Sequence, residues 1–99
     1  MITLNKAKNM NDFEEIIKHI KRDVKVSKYV EEGYFVEYKN ISCVFFRPTD
    51  KNKYYGVDGD SKYYRLFDEV NDYYSRNSNV SFKNAFIKLI HTIEKYANK

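Results

Sequence analysis

Apolar residues lie three and four positions apart in three segments of the chain, which is the spacing of one face of an α-helix. The first segment runs from Asn11 to Lys25. The second follows Asp60 or Ser61, and the third follows Ser81. The side chains of these residues can cap the first turn of a helix. We expect all three apolar stripes to face the core. They are Phe13, Ile16, Ile17, Ile20 and Val24; Tyr63, Leu66, Phe67, Val70, Tyr73 and Tyr74; and Phe82, Ala85, Phe86, Leu89, Ile90, Ile93 and Ala97.

Between the first and second predicted helices the apolar period changes to two, which is the period of a β-strand. The pattern predicts three strands, at 34–38, 41–46 and 54–57. The pair Lys39-Asn40 is short enough to be a hairpin turn between the first two strands. The simplest pairing of the three strands is an antiparallel meander.

The two strands of this hairpin differ in their second face. In the strand at 41–46, Val44 and Phe46 add apolar side chains to the other face, so we expect this strand to be central and covered on both sides. In the strand at 34–38, Glu37 and the adjacent Lys39 are polar. We interpret them as the solvent face of an edge strand.

These elements predict a small α+β fold in which a three-stranded antiparallel meander packs against helices in the order α-β-β-β-α-α. A chain of 99 residues has about the size of one domain, so we expect residues 1–99 to form a single unit. The pattern also permits a short strand at 2–4. Residues 24–32 follow no clear period.

Charge is the first feature that bears on binding. The chain has 18 basic and 14 acidic side chains, for a formal net charge of +4. Four of the cations lie opposite the apolar stripe of the first predicted helix, namely Lys18, Lys21, Arg22 and Lys25. A basic helix face has two interpretations: a contact site for phosphates or carboxylates, or an ordinary solvated surface.

The sequence contains little that could support catalysis. Cys43 is the only cysteine, and it lies in the middle of a predicted strand, where we expect it to be buried and inert. His19 and His91 have no partners at metal-ligand spacing, and there is no glycine-rich phosphate loop. Glu37 and Lys39 match one step of a metal-nuclease motif but lack its second acidic strand residue. We therefore predict no enzyme activity, no cofactor and no bound metal.

Location is predicted from apolar run length. The longest uninterrupted apolar stretch is Val44-Phe45-Phe46, whereas a membrane-spanning helix needs about 20 such residues. The first residues do not have the pattern of a secretory signal. We expect a cytoplasmic protein that does not contact a membrane.

Tyrosine provides the second candidate binding feature. The pair Tyr54-Tyr55 spans both faces of a predicted strand, and Tyr64 lies off the stripe of the second predicted helix. Exposed tyrosines suit protein interfaces and also base stacking. Edge packing is the alternative interpretation for Tyr55 and Tyr64.

Composition suggests the origin of the chain. Lys, Asn and Tyr are abundant, while Gly and Pro are scarce, as expected for A/T-rich coding. We predict a non-enzymatic binding protein of a phage or mobile element. It would inhibit a host machine, such as a CRISPR or restriction defence complex, by steric protein–protein binding. The alternative is a nucleic-acid-binding accessory protein, with the basic helix face on phosphates and Tyr54 or Tyr55 stacking on bases.

Overall fold

The computed structural model describes residues 10–30 and 32–98, and over these ranges the chain has an α+β fold with three α-helices and four antiparallel strands. A 3₁₀ turn, Ser61–Tyr63, leads into the second helix. The predicted strand at 2–4 lies outside the described residues. The elements are α1 (Met10–Ile20), β1 (Lys25–Val30), β2 (Gly33–Tyr38), β3 (Ile41–Phe46), β4 (Gly56–Gly59), α2 (Tyr64–Arg76) and α3 (Phe82–Ala97).

The sheet is a meander with strand order β1-β2-β3-β4. Lys39 and Asn40 form the turn between β2 and β3, as predicted, and Tyr38 lies opposite Ile41. Both turn residues have positive φ, 55° and 66°. This conformation matches the right-handed twist of the strands, which explains why a turn without glycine still closes this hairpin.

The prediction of three strands is wrong, because β1 is a fourth strand that the sequence pattern did not indicate. Val26 of β1 lies opposite Val36 of β2 and packs against the core. The other β1 side chains are exposed, so the strand shows no apolar period. With β1 in place, β2 is an internal strand and not the predicted edge strand.

The first helix is shorter than predicted, because α1 ends at Ile20 and not at Lys25. Lys21 adopts a positive φ of 56°, a conformation that ends a helix. Nη1 of Arg22 then donates to the carbonyl of Ile20 at 2.8 Å, which satisfies one of the last carbonyls of α1.

The last strand lies two residues further along the chain than the predicted strand at 54–57. Contacts from α2 fix its position. Nδ2 of Asn71 donates to the carbonyl of Val57, and Oδ1 of Asn71 accepts from its amide. Phe67 lies against Gly59, where an added Cβ would be only 2.8 Å from the ring.

All three helices pack on one face of the sheet and bury its side chains. Phe13 of α1 contacts Tyr34, Phe82 and Phe86 with ring centroids 4.6 to 5.0 Å apart. The α3 stripe is buried from Phe82 to Ile93, and Ser81 caps α3 by accepting from the amide of Asn84, as predicted. On the sheet, the buried residues are Tyr34, Val36, Tyr38, Ile41, Cys43, Phe45 and Val57.

Candidate functional site

The face of the sheet that points away from the helices carries an unexpected group of apolar side chains. Successive residues of a strand point to opposite faces, so the neighbours of the buried residues lie on this second face. We call its apolar part the open face. It consists of Val30 from β1, Phe35 from β2, and Val44 and Phe46 from β3.

The strand register brings these four side chains together. Phe35 lies directly opposite Val44, while Gly33 lies between Val30 on one side and Phe46 on the other. A Cβ atom at Gly33 would be 2.8 Å from Cγ2 of Val30 and 3.1 Å from the Phe46 ring. Both side chains therefore lie over Gly33, a position that only glycine can occupy without displacing them. The open face is continuous across three strands for this reason.

The open face is accessible to solvent. Exposure is 46% for Val30 and 37% for Phe35, and Val44 and Phe46 are half-buried. No helix or strand in residues 10–30 and 32–98 covers them, so β3 is central, as predicted, but the prediction that it is covered on both sides is wrong. Contiguous exposed apolar side chains of this kind mark interaction surfaces on soluble domains.

A depression of about 420 Å³ extends the open face past β4. Phe46 and Gly56 form its boundary with the sheet, and Tyr54 and Asp58 line it further out. Tyr54 is 41% exposed. A depression next to an aromatic side chain can receive an anchor residue from a partner. The predicted binding residue Tyr54 thus lies beside the open face.

Charges on this face of the sheet are of both signs. Lys25 lies opposite Glu37, and Asp58 lies opposite Val44. All three charged side chains are exposed. They form a polar rim around an apolar centre, which is the arrangement of protein–protein interfaces.

The structure separates the four cations that the sequence placed on one helix face. Lys18 is on α1, Lys21 is in the turn that ends the helix, and Lys25 begins β1. Arg22 holds the turn against α3, because its Nε donates to Oε2 of Glu94 at 3.0 Å. The predicted cationic helix face is therefore wrong, since the helix ends before three of its members.

Glu94 joins α3 to this turn and to the sheet. Its Oε2 accepts from the hydroxyl of Tyr38 as well as from Arg22, each at 3.0 Å. Burial raises the pKa of Glu94, but the hydrogen bonds from Tyr38 and Arg22 outweigh it and leave the pKa below its ordinary value. The carboxylate is therefore held in its charged form.

The other two tyrosines predicted as binding residues, Tyr55 and Tyr64, differ in exposure and in position. Tyr55 is not an exposed binding residue, because it is 4% exposed and stacks on Phe45 at a centroid distance of 5.6 Å, which agrees with the packing interpretation. Burial raises the pKa of Tyr55 to about 12. Tyr64 is 54% exposed, but it begins α2 in the helical layer, where its hydroxyl accepts from Nε of Arg65.

The only cysteine is not available as a nucleophile. Cys43 is 1% exposed on the helix side of β3, as predicted. Burial raises the pKa of its thiol to about 12, so the thiolate is a negligible species near neutral pH. In the part of the chain that the structure describes, no three His, Cys, Asp or Glu side chains converge into a group that could hold a metal ion.

The helices within the described ranges are too short or too polar to cross a membrane. Comparison of the chain with protein-family models, with curated proteins and with solved structures gives no match.

The sequence reasoning missed Val30 and Phe35, which are the most exposed members of the open face. A signal for Phe35 was present, because it is apolar at a position where the two-residue period calls for a polar residue. Val30 could not be found in this way, since it follows a bulge between Lys28 and Val30 that shifts the register.

Proposed function

We propose that this chain is a binding protein without catalytic chemistry of its own and that it docks onto a partner protein through the open face. The observation that carries the proposal is that Val30 and Phe46 both lie over Gly33, which brings apolar side chains of three strands into one exposed surface. Burial of such a surface is the main favourable term in protein association.

Nucleic-acid binding is the second candidate. In its favour, Phe35 and Phe46 are aromatic side chains on neighbouring internal strands, an arrangement on which bases can stack. Glu37 and Asp58 on the same face of the sheet oppose it, because carboxylates repel a phosphate backbone. The mixed charges of the rim favour a protein partner.

In the wider proposal, the chain comes from a phage or mobile element, and its partner is a subunit of a host machine such as a CRISPR or restriction complex. The support is the small size and the A/T-rich type of composition. Inhibition would be steric, because a partner surface covered by this domain is closed to other molecules.

The test compares affinity capture from host cells by three baits, with nuclease added to all samples. The baits are the wild-type chain, Phe35→Ser and Tyr64→Ser. Tyr64 is the matched control, because it is an exposed aromatic residue in the helical layer. We expect the same protein partner with wild type and Tyr64→Ser and its loss with Phe35→Ser. Equal capture by all three baits would exclude the open face, and capture abolished by nuclease would favour the nucleic-acid candidate.

A further inference from the structure

The two edge strands of the sheet, β4 and β1, differ in how their outward backbone groups are hydrogen-bonded. At β4, the side-chain amide of Asn71 occupies both backbone groups of Val57, with distances of 2.8 and 2.9 Å. At the other edge, no strand among the described residues pairs with the outer side of β1. The side chains of Ser27, Tyr29 and Val30 in β1 are exposed.

The register identifies which backbone groups of β1 point outward. In a two-residue hairpin the closing pair, here Tyr38 and Ile41, exchanges hydrogen bonds, and the bonding direction then alternates along each strand. Val36 therefore bonds to β3, whereas Phe35 bonds to Ser27 of β1. It follows that the amide and carbonyl of Val26 point away from the sheet. An outward amide and carbonyl are what an added strand needs.

We infer that an extended, acidic segment of the partner protein adds to this sheet as a further strand along β1. The inference rests on the proposed function, since it specifies how the partner of the open face is held. Main-chain hydrogen bonds to Val26 would supply binding strength, and alternate side chains of the added strand would continue the open face beside Val30.

Charge identifies the chemistry of the added strand. In β1, Lys25 and Lys28 are exposed and no side chain is acidic. A segment rich in Asp or Glu would complement these lysines, and a basic segment would be repelled.

A second copy of this chain is a poor occupant. Pairing of two β1 strands would bring Lys25 and Lys28 of each copy to one small interface, and the register shift after Lys28 would interrupt the ladder. Lysines and bulges on edge strands oppose edge-to-edge pairing of identical chains. The lysines, in contrast, favour pairing with an acidic strand.

The experiment uses Val26→Pro, which removes the outward amide and keeps the hydrogen bonds between β1 and β2. The matched control is Val26→Ala, which also removes side-chain packing but retains the amide. The probe is a synthetic peptide in which valine alternates with glutamate, and its counterpart alternates valine with lysine. Binding is measured by calorimetry, and amide hydrogen exchange of Val26 is followed in the wild-type protein. Denaturant midpoints establish that both variants fold.

We expect the glutamate peptide to bind wild type and Val26→Ala, to bind Val26→Pro about tenfold more weakly, and to slow exchange at the Val26 amide. Equal binding to Val26→Pro and Val26→Ala, or unchanged exchange at Val26, would overturn the inference, as would equal binding of the lysine peptide. If Val26→Pro does not fold, the exchange measurement on the wild-type protein decides alone. Capture of the native partner separates strand addition from binding by the open face. If Phe35→Ser loses the partner but Val26→Pro still captures it, strand addition is contradicted and binding through the open face is kept.

Discussion

The side-chain amide of Asn71 pairs with the backbone of Val57 as a neighbouring strand would. Its Oδ1 accepts from the amide of Val57 at 2.8 Å, and its Nδ2 donates to the carbonyl of Val57 at 2.9 Å. An uncovered edge strand is a template for unwanted pairing, and a side chain on α2 closes this one. Because Asn71 closes β4 and no strand within residues 10–30 and 32–98 pairs with the outer side of β1, we expect association through a sheet edge to use β1.

Asn71→Asp tests the role of this amide. The carboxylate keeps an acceptor for the Val57 amide but places a second acceptor against the Val57 carbonyl. We expect the free energy of unfolding to fall by about 1–3 kcal/mol, the cost of a part-buried acceptor left without a donor. Urea unfolding monitored by circular dichroism measures it. Asn84→Asp is the control, because Asn84 is exposed in the first turn of α3, where a negative charge is favourable. Equal stability of the two variants would contradict the role of Asn71.

Gly33→Ala tests the packing of Val30 and Phe46 over this glycine, which makes the open face continuous. The added Cβ meets Val30 at 2.8 Å and Phe46 at 3.1 Å, so the two side chains must separate. We expect destabilisation of about 1–3 kcal/mol, the usual cost of overpacking. Gly56→Ala is the matched control in the same sheet, because its nearest neighbour would be 3.8 Å from the new Cβ. A Gly33→Ala protein as stable as Gly56→Ala would show that Val30 and Phe46 do not pack closely over Gly33.

Leu89→Ala tests the position of α3 in the core. Leu89 is fully buried, so we expect a loss of about 2–5 kcal/mol from the lost transfer energy and the cavity. His91→Ala, at an exposed position on the same helix, should change stability by less than about 0.5 kcal/mol. An unchanged urea midpoint for Leu89→Ala would mean that this helix face is not packed.

Alkaline pH should destabilise the fold through Cys43. Burial raises the pKa of its thiol from 9.0 to about 12, so the folded state holds the proton more tightly than the unfolded state. The stabilisation is complete below pH 9.0 and is lost as pH rises toward about 12. We expect the unfolding free energy to fall over this interval, and to fall less in Cys43→Ala. Rapid labelling of the native thiol near neutral pH would refute its burial.

The sequence predicts α2, α3 and the β2–β3 hairpin because their apolar periods are long and match their buried faces. It fails at β1, since a strand of which only the half-buried Val26 packs against the core has no apolar period. It places β4 two residues early, because the position of that strand depends on Asn71 and Phe67 in a distant helix. The same limit applies to binding residues.

The sequence identified Tyr54 as a candidate binding residue, and the structure places it beside the open face. The open face itself was not predicted. Three lysines and Arg22 would form one helix face only if α1 continued to Lys25. The helix ends earlier, because Lys21 adopts a positive φ. The pair Tyr54-Tyr55 spans both faces of a predicted strand, so the sequence could not decide which of the two is exposed; Tyr55 packs on Phe45. Val30 and Phe46 become neighbours only through the register on either side of Gly33.

Site-specific photo-cross-linking is the most direct test of the central claim that the open face binds a protein. A photoreactive phenylalanine analogue replaces Phe35 in one protein and Tyr64 in another, and both are irradiated in host cells. We predict one discrete protein adduct from position 35 and none from position 64. An adduct from position 64 alone, or from neither position while the wild-type protein still captures its partner, would contradict the claim.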